Sequence, residues 1–241
     1  MIPYIYVMIP TYGLFVVVGG AIALSWLYYR GVLSDKETFR WKEFLWLVLV
    51  CGVGCFVGSK VLFFLTQVPA VVENFSFSNM IATFVQGGFV FYGGLFGALA
   101  GVVLFAKRKK YDINKCAGFV LPAFIVFHAF GRIGCFTSGC CHGFLLPQPI
   151  SFLNVTFVFF PIQLIEAVFE LGMFFYVKSL PLEKRVQRYL VIYACYRFVA
   201  EFFRGDVARG IWFGLSTSQW VSLIVLLVIV IKKVTAMRKK K

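Results

Sequence analysis

From Leu121 to Gly143 the chain reads LPAFIVFHAFGRIGCFTSGCCHG. Eleven residues without a formal charge lead into Arg132, and apolar residues resume after it, so the arginine stands in a run whose composition suits hydrocarbon. A guanidinium at that depth costs roughly 3 kcal/mol or more unless it is paired or hydrated, which makes it a functional residue by default. Gly131, Gly134, Gly139 and Gly143 punctuate the stretch. Such spacing suits close approach of backbone to something polar.

The rest of the chain has the same character. It has 241 residues, 61% of them hydrophobic and 14% charged, with a mean hydropathy of +0.87. One soluble core cannot hide that much apolar surface, so the sequence describes an integral membrane protein. The opening MIPYIYVMIPTYG has neither a basic leader nor a small-residue cleavage site, and the first helix is expected to be retained.

Apolar stretches long enough to cross about 30 Å of hydrocarbon fall near 11–29, 43–66, 88–106, 117–136, 162–180, 189–203 and 218–231. The sequence thus predicts an all-α membrane protein of seven spans, forming a single membrane domain over 1–241 with a central cavity open to lipid. Lys and Arg concentrate in 30–42, 107–115, 178–188 and the tail from Lys232, which together hold 19 of the 24. Alternate loops are nearly empty of them, which puts the N-terminus outside and the C-terminus in the cytoplasm. The net charge of +14 is therefore topological, and no nucleic-acid partner is expected.

Lys60, Arg132, Arg197, Arg204 and Arg209 escape that explanation. In YACYRFVAEFFRGD, Tyr193, Arg197 and Glu201 follow one another at i+4 and share a helix face, with Arg204 close to the same line. Arg197 and Glu201 read either as a neutralised packing pair or as part of a site. Arg132 finds no acid on its own span. Buried guanidinium groups suit planar oxyanions and grip phosphate through a fork of donors, and in a membrane the nearest phosphate is a phospholipid headgroup.

In FYGGLFGALAG, Gly94, Gly97 and Gly101 read as a helix-packing stripe. Gly93 and Gly94, next to Tyr92, could instead offer backbone N–H groups to an anion. Cys51, Cys55, Cys116 and Cys195 sit in or beside apolar runs, where cysteine serves as a small hydrophobe. Cys135, Cys140, Cys141 and His142 offer ligand atoms, but CxxxxCCH lacks the separated CxxC pairs of a zinc site. Neither metal nor cofactor is expected. A disulfide through Cys140 or Cys141 is the alternative use of the cluster, and His128 reads as a hydrogen-bonded interior histidine.

Taken together these blocks resemble the bacterial prolipoprotein diacylglyceryl transferases. The blocks that match are Tyr12-Gly13, Tyr92-Gly93-Gly94-Leu95-Phe96-Gly97, GRIGCFTSGCCHG, PIQLIEA at 161–167, and Tyr193-x3-Arg197-x3-Glu201-Phe-Phe-Arg204 followed by Asp206 and GLSTSQ. The resemblance implies an inner-membrane enzyme, active toward the outer leaflet. It would move the diacylglyceryl group of phosphatidylglycerol to the lipobox cysteine of a secreted preprolipoprotein, with glycerol phosphate leaving. It implies that Arg132 and Arg197 hold the phosphate, Glu201 holds Arg197, and Tyr12 and Tyr193 line the cavity. By the same resemblance Tyr92 joins the catalytic set, while Gly93, Gly94, Cys135, Ser138, Cys140, Gly143, Gln163, Arg204 and Gln219 contact substrate.

The sequence departs from the family pattern, which has histidine at Tyr92, asparagine at Cys135 and Ser138, and glutamate at Cys140. Glu201, His128, His142 or a cluster thiolate are then the bases available to the acceptor thiol. Other readings are transfer to a different thiol or hydroxyl acceptor, a non-catalytic lipid-binding or transport protein, and a thiol redox protein.

Overall fold

The computed structural model describes residues 4–5, 9–33, 40–73, 76–86, 91–152, 155–205 and 211–238. The chain is mostly helical. After a short pair of strands, β1 (Tyr4–Ile5) and β2 (Ile9–Pro10), come α1 (Thr11–Tyr28, continued as a wider turn to Leu33), α2 (Trp41–Glu73), α3 (Phe77–Gln86), α4 (Phe91–Lys109) and α5 (Ile113–Ser138). A hairpin follows, β3 (Leu145–Phe152) and β4 (Val155–Phe159), then α6 (Ile162–Ser179), α7 (Leu182–Ala200), the tiny pair β5 (Ile211–Trp212) and β6 (Leu215–Ser216), and α8 (Thr217–Arg238).

Thr11–Leu33, Trp41–Leu65, Ile113–Ser138 and Thr217–Thr235 are long and apolar enough to cross a membrane. Each of the other three expected spans also falls on a helix, but α6 carries Glu166 and Glu170, α7 carries five charged residues before its end, and α4 ends in Lys107, Arg108 and Lys109. Several boundaries move. The second helix continues to Glu73 rather than 66, α5 begins at Ile113 rather than 117, the helix expected from 189 begins at Leu182, and α8 runs to Arg238 rather than 231.

The described residues group into two compact units, one of Met1–Trp26 with Val120–Lys241 and the other Leu27–Phe119. In the second, α2 and α4 touch backbone to backbone: a Cβ at Gly97 would run into the Gly54 carbonyl, and one at Gly93 into that of Gly58. Glycine at four-residue spacing permits this approach. At one end, the Tyr111 hydroxyl donates to Glu43 Oε2 at 3.0 Å, and Lys109 Nζ lies 3.7 Å from Glu43 Oε1.

In the first unit, Ile125 of α5, Met173 and Val177 of α6 and Tyr189 of α7 form a buried cluster, flanked by Leu121, Phe169, Phe174, Ile192 and Tyr193. Arg185 closes the end of α6 by donating to the carbonyls of Leu180 and Lys178, both at 2.9 Å. Its positive charge thus meets the negative end of the helix dipole.

Candidate active site

The site lies in the first unit, and its framework is the way α5 ends. Gly139 adopts φ 74°, its N–H donates to Phe136 O at 3.2 Å, and the N–H of Cys140 reaches back to Cys135 O at 3.1 Å. These are the paired 5→2 and 6→1 bonds of a Schellman stop, which needs a left-handed residue at the position Gly139 fills. The chain then runs past Gly143, which bridges Arg204. Gly143 N donates to Phe160 O at 3.0 Å, and Gly205 N to His142 O at 3.2 Å. A Cβ at Gly143 would lie 2.8 Å from Phe203 O. Close packing of three backbone segments thus explains that glycine.

Arg132 Nη2 lies 2.8 Å from Glu166 Oε2 on α6, with Arg132 8% and Glu166 2% exposed. The acid missing from Arg132's own span is therefore supplied by the next one. Tyr193 donates to Glu166 Oε1 at 3.3 Å. One turn further along α6, the fully buried Glu170 accepts from Tyr189 at 3.0 and 3.2 Å and lies 2.9 Å from His128 Nδ1. His128 is thus a hydrogen-bonded interior residue, as read from the sequence. Sequence reasoning assigned no role to Glu166 or Glu170. Their signal was present: Gln163, Glu166 and Glu170 stand at i, i+3 and i+7, a polar stripe on one face of an otherwise apolar helix.

Arg197 keeps the partner its spacing predicts, with Nη2 2.8 Å from Glu201 Oε2, and it also donates to Ser218 Oγ at 3.2 Å. Glu201 sits in a tight turn, Glu201–Phe203, where the α-helix has ended. Arg204 is consequently off the helix face, in extended backbone beside Gly143. Arg197 and Arg204 both act electrostatically on Glu166, so three guanidinium groups gather near one carboxylate. Neither 2.8 Å ion pair is aligned as a hydrogen bond. Among the described residues, Arg132 Nε, Arg197 Nη1, Gln163 Oε1 and the Tyr196 hydroxyl are buried without a hydrogen-bond partner. A buried polar atom left so costs about 1–3 kcal/mol, more when charged, which a ligand with several acceptor oxygens would recover at the two arginines.

Cys135 lies one turn beyond Arg132, whose Nη1 reaches its sulfur at 4.0 Å. The sulfurs of Cys135, Cys140 and Cys141 lie within 4.8 Å of one another. All three are free thiols, so the alternative of a disulfide through Cys140 or Cys141 is not what the structure has. A hydrogen bond from Cys135 holds the Cys141 thiol below its ordinary range, helped by the Arg132 and Arg204 guanidinium groups. Burial and the neighbouring Cys141 push Cys140 up. Gln163 donates to Cys140 O at 2.8 Å and so pins this loop to α6. Tyr12 packs its ring against Gly134 and acts on the three cysteines and Arg132, while Ser138 is exposed at the end of α5.

Other expected residues serve local capping and packing. Gln219 and Ser216 cap α8 reciprocally: Ser216 N donates to Gln219 Oε1 at 2.9 Å and Gln219 N to Ser216 Oγ at 3.2 Å. This is a capping box, and the remaining Gln219 amide donates to Phe198 O at 3.4 Å. Gly93 and Gly94 belong to the second unit and face Gly58 and Ser59 of α2, a packing role rather than an exposed N–H pair. The Tyr92 side chain, Asp206 and Arg209 lie outside the described residues.

Comparison with known proteins agrees with these blocks. Residues 2–234 match the family model for prolipoprotein diacylglyceryl transferase. A phosphatidylglycerol–prolipoprotein diacylglyceryl transferase of Clostridium tetani is 30% identical over 207 residues, covering 81% of each chain. The enzyme numbered 2 of that name from Clostridium perfringens is 30% identical over 196 residues, covering 75% of this chain and 73% of its own. A relative from Proteus mirabilis is 27% identical over 266 residues, covering 95% and 88%. The chain therefore belongs to the prolipoprotein diacylglyceryl transferase family.

Proposed function

We propose that this protein transfers the diacylglyceryl group of phosphatidylglycerol to the lipobox cysteine thiol of a preprolipoprotein and releases glycerol phosphate. Support comes first from one observation: two largely enclosed arginines, each beside a buried glutamate, each keeping a buried N–H without a protein acceptor. The names of the relatives supply the same donor and acceptor.

The bond that breaks joins the glyceryl methylene carbon to a phosphate oxygen, and the bond that forms joins that carbon to the acceptor sulfur. A phosphodiester carries one negative charge, and the departing monoester gains another as the electron pair leaves with it. Two guanidinium groups therefore bind the transition state more tightly than the ground state, which is the condition for acceleration. Arg132 and Arg197 take that role, with Arg204 as a third cation. Glu166 and Glu201 orient the first two, and Tyr12 and Tyr193 shape the walls. In this reading the chain is one membrane domain of seven spans, N-terminus outside and C-terminus cytoplasmic, in the inner membrane. A lipid-accessible cavity faces the outer leaflet and receives the signal peptide.

The test is mass spectrometry of a lipobox peptide incubated with purified protein and phosphatidylglycerol. A gain of one diacylglyceryl group is expected. Arg132→Ala and Arg197→Ala should each slow it roughly 10²- to 10³-fold, and full transfer by either variant would refute the assignment.

A further inference from the structure

We propose that Cys135, Cys140 and Cys141 form a site for one thiophilic divalent cation of the zinc kind, whose open fourth position takes the acceptor thiol. The second half of this inference rests on the transferase reading above; the first half does not.

The linear spacing CxxxxCCH argued against a metal because it lacks paired CxxC steps. The Schellman stop removes that objection. It brings residue C3 of the helix, here Cys135, against residue C″, here Cys140, a pair that is apolar in most such stops. Cys141, itself left-handed at φ 56°, adds the third sulfur. Tetrahedral zinc with Zn–S near 2.3 Å requires sulfurs about 3.8 Å apart. A cluster already within 4.8 Å reaches that by small side-chain rotations.

Charge favours the same occupant. Three thiolates around a divalent cation carry a net negative charge, and Arg132 and Arg204 stand beside them to balance it. Soft thiolate ligands select zinc-like or copper(I)-like ions over magnesium or calcium. His142 stands outside the cluster: among the described residues the ligand atoms gathered here are the three sulfurs, and the histidine donates from Nδ1 to Gly143 O at 2.9 Å with its ring 4.1 Å from that of Phe159. The fourth position is therefore left for an outside ligand, the arrangement that distinguishes catalytic from structural zinc.

The outside ligand that fits is the acceptor thiol. Coordination deprotonates it, and its proton passes to solvent. The bound thiolate attacks the glyceryl methylene carbon; the S–C bond forms, the C–O bond breaks, and the electron pair leaves on the phosphate. The metal keeps its oxidation state. The thioether product is neutral and a weaker ligand, so it dissociates and reopens the position. Arg132, which touches Cys135 on one side and Glu166 on the other, places the phosphate binder next to the activated sulfur. This supplies the thiol activation that a tyrosine at position 92 is ill suited to provide, since a free phenol ionises only near pH 10.

The full chain, reduced and stripped by chelator, is titrated with Co²⁺. The expected result is one Co²⁺ per chain with thiolate-to-cobalt charge-transfer and tetrahedral d–d bands, displaced by Zn²⁺. These bands should be lost in Cys135→Ser and Cys141→Ser and kept in Cys51→Ser and Cys195→Ser. A lipobox peptide should shift the d–d bands, its Ser-for-Cys version should not, and stripping should slow transfer about 10²-fold or more. Failure of the wild-type chain to bind Co²⁺ stoichiometrically, or bands that survive replacement of all three cysteines, overturns the site. Full transfer by metal-free protein overturns the acceptor role while the transferase reading stands. Intact cobalt bands without any transfer support the site and refute the transferase reading.

Discussion

At the scale of single residues, the Arg132–Glu166 pair is held out of water on both sides. Removing one member of such a pair strands the other, at about 3–5 kcal/mol, whereas replacing both by apolar residues of similar size is often neutral. Glu166→Gln should therefore lower thermal stability by that amount, read by the unfolding midpoint in detergent, and the Arg132→Met/Glu166→Leu double variant should recover most of it while losing transfer. A double variant as unstable as the single one would show that packing, not the stranded charge, sets the cost. The sequence showed both arginines and the Arg197–Glu201 pair because an i+4 relation is local. The Glu166 partnership is tertiary, joining α5 to α6, and one-dimensional spacing carries no record of which helix faces which. Sulfur positions were hidden for a related reason, since they depend on the left-handed turn at Gly139 and Cys141.

At the scale of elements, glycine and capping residues decide how segments meet. Gly143→Ala would force apart Phe160 and Phe203 and displace Arg204 through its bridge to residue 143. Transfer should fall, with KM for phosphatidylglycerol rising more than kcat falls if Arg204 binds the headgroup; unchanged kinetics would remove Arg204 from the site. Gln219→Ala should cost about 1 kcal/mol by loss of the cap at α8, with little change in transfer per folded molecule; a collapse in transfer at full stability would return Gln219 to the substrate. The packing stripe at Gly94, Gly97 and Gly101 was readable because its steps of three and four residues are themselves the physical requirement. The β3–β4 hairpin was not. LLPQPISF holds two prolines, which weaken a strand reading, and pairing proceeds only through an irregularity between Leu145 and Ile150.

At the scale of the whole molecule, hydropathy found each long helix among the described residues, yet only four of these meet a plain criterion of length and apolarity. α6 is marginal because it carries Glu166 and Glu170, which pair inside the protein, whereas α7 is marginal chiefly through Glu183, Lys184, Arg185 and Arg188 at its start. The seven-span reading makes a topological prediction. In intact cells, a membrane-impermeant thiol reagent should label the exposed Cys140 and spare a cysteine placed at Lys109; labelling with the opposite pattern would invert the orientation.

The buried acids of α6 also bear on how the protein is made. Glu166 and Glu170 meet Arg132 and His128 of α5, which leaves the ribosome earlier, while Arg197 finds its carboxylate four residues later on the same polypeptide. On the seven-span reading, Glu166, Glu170 and Arg197 thus each find a partner already inserted or close behind as they enter the membrane. Arg132 is then the charge that must wait, until α6 brings Glu166 to it.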